Sequence, residues 1–162
     1  MTRLMSEGGQ EMMTPDETTV QMRRIFSVTE MDEEMFKIGA TLGTGTFGRV
    51  RLVTYKKENG ELVYLALKIL KKSEIIRLKQ VEHIKQEKNI LSRICHPFIV
   101  NLFAAFQTKD NLCMLMEYVI GGELFSQLRR VGRFNNETAQ FYTAEIVLAF
   151  SYLHDLVSLV CV

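Results

Sequence analysis

Gly43-Thr44-Gly45-Thr46-Phe47-Gly48 sets three glycines in a G-x-G-x-x-G spacing, and the residues that follow decide what the chain can fold into. A dinucleotide-binding loop of this spacing opens a helix, and the phosphate sits on that helix's N-terminus. Here the next residues are Arg49-Val50-Arg51-Leu52-Val53-Thr54-Tyr55, which carry β-branched and aromatic side chains and run toward Asn59-Gly60. Both residues of that dipeptide tolerate positive φ, so it predicts a hairpin. A strand after the loop excludes the doubly wound dinucleotide geometry and disfavours a nicotinamide-dependent oxidoreductase. It fits a glycine hairpin lying over phosphates, where missing side chains let the backbone approach the phosphate oxygens.

The rest of the pattern extends this start. Phe36 to Leu42, Arg49 to Tyr55 and Val63 to Leu70 read as strands. Ser73 to Ile94 reads as one helix capped by Ser73, with Val81, Ile84, Leu91 and Ile94 on one face. His96-Pro97 breaks it. Phe98 to Gln107 and Leu112 to Tyr118 read as further strands around a turn at Lys109-Asp110-Asn111. Gly121-Gly122 marks a hinge, and Glu123 to Arg130 a short helix ended by Gly132. Asn136 is the expected cap of a last helix from Glu137 to His154. Hairpin-joined strands with one main helix argue for an α+β fold built on an antiparallel five-stranded sheet.

Lys68 lies in the middle of the apolar strand Ala66-Leu67-Lys68-Ile69, on the same face as Ala66. An unpaired ammonium there is costly. Glu87 falls between Ile84 and Leu91 on the helix's apolar stripe. A Lys68–Glu87 pair across the sheet–helix interface satisfies both and holds the ammonium toward nucleotide phosphates. Snorkelling of Lys68 into water, with Glu87 at the stripe's edge, is the plainer alternative for each residue taken singly.

Composition bounds the class. The chain has 162 residues, 47% hydrophobic and 24% charged, with a net charge of +1. That balance is globular and exerts no general pull toward nucleic acid or anionic membrane. Cys95, Cys113 and Cys161 are too scattered for a disulfide framework or zinc site and read as buried free thiols. The first ten residues lack the pattern of a signal peptide, and Thr2 in place of glycine removes a myristoylation signal. Ile146 to Val162 is apolar but too short to span a bilayer. A cytoplasmic location, with the nucleus as a second one, is expected. Met1 to Thr14 reads as disordered, and Thr14-Pro15-Asp16-Glu17 as the start of a short helix to Phe26. Arg24-Ile25-Phe26-Ser27 has the Arg-x-x-Ser spacing of a basophilic phosphorylation site, a short and common pattern.

Several segments together carry a family resemblance. Thr41-Leu42-Gly43-Thr44-Gly45-Thr46-Phe47-Gly48-Arg49-Val50, Ala66-Leu67-Lys68, Gln86-Glu87-Lys88, Met114-Leu115-Met116-Glu117-Tyr118-Val119 and Gly121-Gly122-Glu123-Leu124-Phe125 closely resemble the AGC serine/threonine protein kinases of the cAMP-dependent type. The resemblance covers about Phe36 to His154. It implies a nucleotide-binding N-lobe over 36–117, a hinge and the start of a C-lobe over 118–162, and an N-terminal extension over 1–35. ATP is the implied ligand, with Mg as the family's metal. Gly43, Thr44, Gly45, Thr46, Phe47 and Gly48 would cover the phosphates, and Lys68 with Glu87 would position them. Leu42, Val50 and Ala66 would line the adenine pocket, with Met116 as gatekeeper. Glu117 and Val119 would offer hinge backbone hydrogen bonds, and Glu123 would reach the ribose and a substrate arginine. Leu91 and Leu102 resemble members of the hydrophobic spine, although core packing alone would also bury them. His83 resembles the residue that meets an activation-loop phosphate, and Arg129 and Arg130 lie where the family meets peptide inhibitors and regulatory subunits.

The resemblance also implies a Tyr/His-Arg-Asp catalytic loop about six residues after Tyr152-Leu153-His154. Val160-Cys161-Val162 stands at that place. The catalytic base and both metal ligands are therefore expected to be missing, and a polypeptide of these residues to be inactive alone. A non-catalytic isoform that binds nucleotide or competes for kinase partners is the alternative. The apolar face of the last helix and the tail Leu156 to Val162 are expected to be poorly covered, which favours aggregation or a partner.

Overall fold

Five antiparallel strands, spatially ordered β1-β2-β3-β5-β4, form the frame of the computed structural model, which describes residues 17–27 and 31–160. The strands are β1 (Lys37–Gly45), β2 (Gly48–Lys56), β3 (Leu62–Lys71), β4 (Leu102–Gln107) and β5 (Asn111–Glu117). The helices are α1 (Glu17–Ser27), α2 (Lys72–Arg77), α3 (Val81–Arg93), α4 (Leu124–Val131) and α5 (Asn136–Val160). A 3-10 turn over Glu33–Met35 leads into β1.

Strand alternation divides the core between two faces. On one face Val53, Leu65, Leu67, Cys113 and Leu115 are buried with Met22, Phe26 and Phe36. There α1 lies on the sheet, with the Phe26 ring edge-on to Tyr55 at 5.1 Å between centroids. On the other face Leu70, Leu102 and Met114 pack with Ile75 of α2 and Ile84 of α3. The sequence suggested a single main helix against the sheet. The second covering helix comes from the extension. Thr19, Met22 and Phe26 recur at helical spacing, but the face that receives them belongs to strands far along the chain.

Other expectations need correction. The single helix from Ser73 is two helices, and Lys71 rather than Ser73 stands at the first cap position. The break is at Lys79, whose φ of 53° is left-handed without glycine's freedom. Leu78, Lys79 and Gln80 amides close the turn onto Glu74, Ile76 and Ile75 carbonyls. Val81 is 38% exposed, and Ile94 lies beyond α3 in extended backbone. Residues 98–101 form a loop before β4 rather than its first half. Asn135, not Asn136, caps α5, accepting the Thr138 amide at 2.8 Å. With no glycine or proline to stop it, α5 continues past His154 to Val160.

In the β2–β3 hairpin only Gly60 takes positive φ, at 86°. Asn59 instead accepts the Glu61 amide through its side chain at 3.0 Å. Cys113 is buried but Cys95 is half-buried, and Cys161 lies outside the described residues. So do residues 1–16, with the expected disorder and the Thr14 cap, and the side chain of Ser27. Among the described residues no helix is long and apolar enough to cross a membrane.

Candidate functional site

The strand register brings the expected site residues into rows. Gly43 of β1 lies opposite Val50 of β2, and Val50 opposite Lys68 of β3. Lys68 lies opposite Met114 of β5. A second row joins Leu52, Ala66, Met116 and Leu102. Ala66 and Lys68 are two residues apart, so both rows present side chains to the face on which α3 packs. Val50, Ala66 and Met116 therefore share one face with the lysine. Leu91 and Met116, both partly buried, pack against the cluster that contains buried Leu102.

Lys68 Nζ donates to Glu87 Oε1 at 2.5 Å, with side chains 25% and 31% exposed. The helix break at Lys79 matters here, because it sets the direction of α3 independently of α2. The snorkelling alternative does not describe either residue: the carboxylate faces the lysine. One partner leaves most of the ammonium's three donors for another acceptor.

The glycine loop closes the β1–β2 hairpin, with Gly45 opposite Gly48 and Thr46-Phe47 at the tip. The glycines have different physical roles. At Gly48 an added Cβ would lie 1.9 Å from the Ile69 carbonyl oxygen, so the β2–β3 contact itself requires glycine. At Gly43 and Gly45 an added Cβ would meet nothing within 4 Å, and neither has positive φ. The fold makes no demand for glycine at those two positions. Phe47 is held back on the sheet: its carbonyl accepts the Lys71 amide at 2.9 Å, and its partly buried side chain packs against the cluster that contains Leu70 and Ile75. Thr44 and Thr46 are exposed.

Beyond β5 the chain passes through Gly121 and Gly122, with φ of 124° and 75°. The Glu117 carboxylate is already engaged, accepting from the Asn101 amide at 3.2 Å and from its side chain at 3.0 Å. What Glu117 can offer a ligand is its main chain, as at Val119, which is 62% exposed. Glu123 is the N-cap residue of α4 and makes no side-chain cap, so its exposed carboxylate is not spent on the helix. Leu42 is 42% exposed on β1.

His83 is exposed in the first turn of α3. Arg129 lies over the Phe125 ring at 4.4 Å, and Arg130 donates to Gln127 at 2.7 Å, so both form local contacts on α4. Sequence reasoning passed over the connection from α3 to β4. His96 is buried there, accepts the Phe98 amide at Nδ1 at 3.2 Å, and lies 5.1 Å from the Tyr152 ring of α5. Burial pushes its imidazole below the ordinary histidine pKa. Among the described residues no three His, Cys, Asp or Glu side chains converge into a cluster that could hold a metal ion.

Comparison with known families matches the protein kinase domain over residues 36–159. The chain is 53% identical over 119 residues to a cAMP-dependent protein kinase catalytic subunit of Dictyostelium discoideum, covering 74% of this chain and 18% of that protein. It is 50% identical over 121 residues to cAMP-dependent protein kinase catalytic subunit 3 of Drosophila melanogaster, covering 75% of this chain and 20% of that protein. It is 51% identical over 116 residues to the human cAMP-dependent protein kinase catalytic subunit PRKX, covering 72% of this chain and 32% of that protein. The chain thus spans roughly a fifth to a third of the length of these relatives.

Proposed function

We propose, on the premise that this chain belongs to the protein kinase family, that residues 36–159 carry the ATP-holding part of a serine/threonine kinase similar to the cAMP-dependent catalytic subunits. The observation that carries this reading is the Lys68–Glu87 pair, in the same strand row as a glycine loop whose Gly43 and Gly45 the fold does not require. Glycine at those positions leaves room for phosphate oxygens to approach the main chain. Glu87 holds the ammonium in place, and the ammonium's remaining donors serve the phosphates. Val50, Ala66 and Met116 supply an apolar face for a base, with Leu42 at its edge. The main chain at Glu117 and Val119 supplies hinge hydrogen bonds, and the Glu123 carboxylate meets the ribose.

Phosphoryl transfer in this family rests on positioning and on metal-borne neutralisation of charge, and magnesium supplies the latter when it is bound. The 162 residues contain no Arg-Asp catalytic loop. A polypeptide of these residues is therefore proposed to bind nucleotide without phosphorylating a peptide. Transfer to serine or threonine of basic substrates, and binding of a regulatory subunit near Arg129 and Arg130, are proposed for a kinase that contains this segment.

Lys68→Ala tests the reading. Loss of a charge-assisted contact should weaken a fluorescent ATP analogue about tenfold or more. Wild-type affinity in that variant would count against the assignment. Peptide phosphorylation above a buffer blank by the purified 162-residue polypeptide would refute its proposed inactivity.

A further inference from the structure

The position of Glu87 depends on how α3 is held, and α3 grips the sheet lightly. Of its residues only Ile84 is fully buried. Its ends therefore matter. At the C-terminal end, Arg23 of α1 reaches across with Nη2 donating to the Ile94 carbonyl at 2.7 Å and Nε donating to the Leu102 carbonyl at 3.1 Å. Ile94 is the C-cap of α3 and Leu102 the first residue of β4, so one guanidinium ties together both ends of the intervening loop. A cation at a helix C-terminus also meets the negative end of the helix dipole.

Arg23 is itself fixed. Its neighbours on α1, Met22 and Phe26, are 3% and 4% exposed in the sheet core. Phe26 packs on Phe36 and Tyr55, so α1 is anchored to β2 and the entry to β1 while its arginine holds α3. Glu87 lies about two helical turns upstream of Ile94.

We infer that α1 is a positioning strap and that Arg23 is a positioning residue, setting the C-terminal end of α3 so that Glu87 meets Lys68. This rests on the nucleotide reading of that pair. The strap needs the guanidinium fork: two donors diverge to two carbonyls, which a single ammonium does not reproduce.

The test is a double-mutant cycle on the full chain, read by titration of a fluorescent ATP analogue and by amide hydrogen exchange of residues 81–93. Arg23→Ala and Arg23→Lys should each weaken the analogue by about three- to tenfold. In a Glu87→Gln background that loss should vanish, because there is no pair left to position. If Arg23→Ala fails to fold, Arg23→Lys carries the test. Wild-type affinity in the Arg23 variants overturns the inference, and so does an equal loss with Glu87→Gln, which would mark a merely structural role. If the wild-type chain binds no analogue, the nucleotide reading fails separately. The strap is then judged by exchange alone: faster exchange across α3 in Arg23→Lys upholds it, and unchanged exchange overturns it.

Discussion

Replacing Gly48 with alanine separates what the fold requires of the glycine loop from what a ligand requires. The added Cβ would lie 1.9 Å from the Ile69 carbonyl oxygen, 3.0 Å from its carbon and 3.1 Å from Leu70 Cα. All three are backbone atoms, so no side-chain rotation relieves the contact. The β2–β3 pair must open by about an ångström where Gly48 faces Leu70. That opening strains the Lys71 amide to Phe47 carbonyl bond at the loop tip. Overpacking of about 1–3 kcal/mol and a weakened hydrogen bond of about 1 kcal/mol together give a loss of about 3 kcal/mol. For a domain of this size that lowers Tm by about 6–12 °C. Gly43→Ala and Gly45→Ala meet no atoms within 4 Å and are not at positive φ. They restrict the unfolded chain and should leave the free protein unchanged or more stable by about 0.4–1 kcal/mol. Thermal unfolding with and without an ATP analogue distinguishes the two kinds of glycine. Gly48→Ala should lose stability in both conditions, and Gly45→Ala should lose only part of the ligand's stabilisation. A Gly48→Ala protein with a wild-type Tm, or a Gly45→Ala protein as unstable as Gly48→Ala, would refute the reasoning.

Phe26→Ala should cost about 3 kcal/mol in urea unfolding, because it empties a buried aromatic site between Phe36 and Tyr55; a loss under about 1 kcal/mol would mean that α1 is not part of this core. His96 is buried with its pKa pushed down, so the native state resists its protonation. Its contribution to stability is complete above about pH 6.5 and is lost as pH falls toward the lower folded value. His96→Phe should narrow the pH dependence between neutral and mildly acidic conditions, and an identical profile in both proteins would contradict this. The Cys113 thiol is pushed up to about 12 by burial and then by the Glu33 carboxylate 3.4 Å away. It should resist iodoacetamide at pH 8 in the native chain and react on unfolding, as followed by peptide mass; rapid native labelling would contradict its placement.

The parts of the fold that depend on local chemistry were the legible ones. Strand alternation placed Lys68 on the face of Ala66, and helix periodicity placed Glu87 on the apolar stripe, so both partners of the ion pair were legible although the docking of α3 that joins them was not. Gly132, with φ of 78°, ends α4 as a glycine C-cap should. The break at Lys79 was not legible, because neither glycine nor proline marks it and the turn is held by ordinary backbone bonds. The α1 packing was hidden for another reason. Met22 and Phe26 lie on one face of α1, but the receiving surface is assembled from β2, β3, β4 and β5. The Arg23 contacts span sequence separations of 71 and 79 residues and have no local signature.

The division between fold and ligand extends beyond the glycines. Ala66 and Leu102 are buried, so packing alone accounts for their small or apolar side chains. Gly48 is accounted for by the Ile69 carbonyl. Packing does not account for glycine at Gly43 and Gly45, for the exposed apolar side chains of Leu42 and Val119, or for a Glu123 carboxylate that caps nothing. A surface leucine alone needs no explanation. Leu42, Gly43 and Gly45, however, lie on the edge strand β1, and Val119 and Glu123 lie on the segment that follows β5. The proposed nucleotide site assigns each of them a role. Among the expected site residues, the ones whose type packing leaves unexplained are thus Leu42, Gly43, Gly45, Val119 and Glu123.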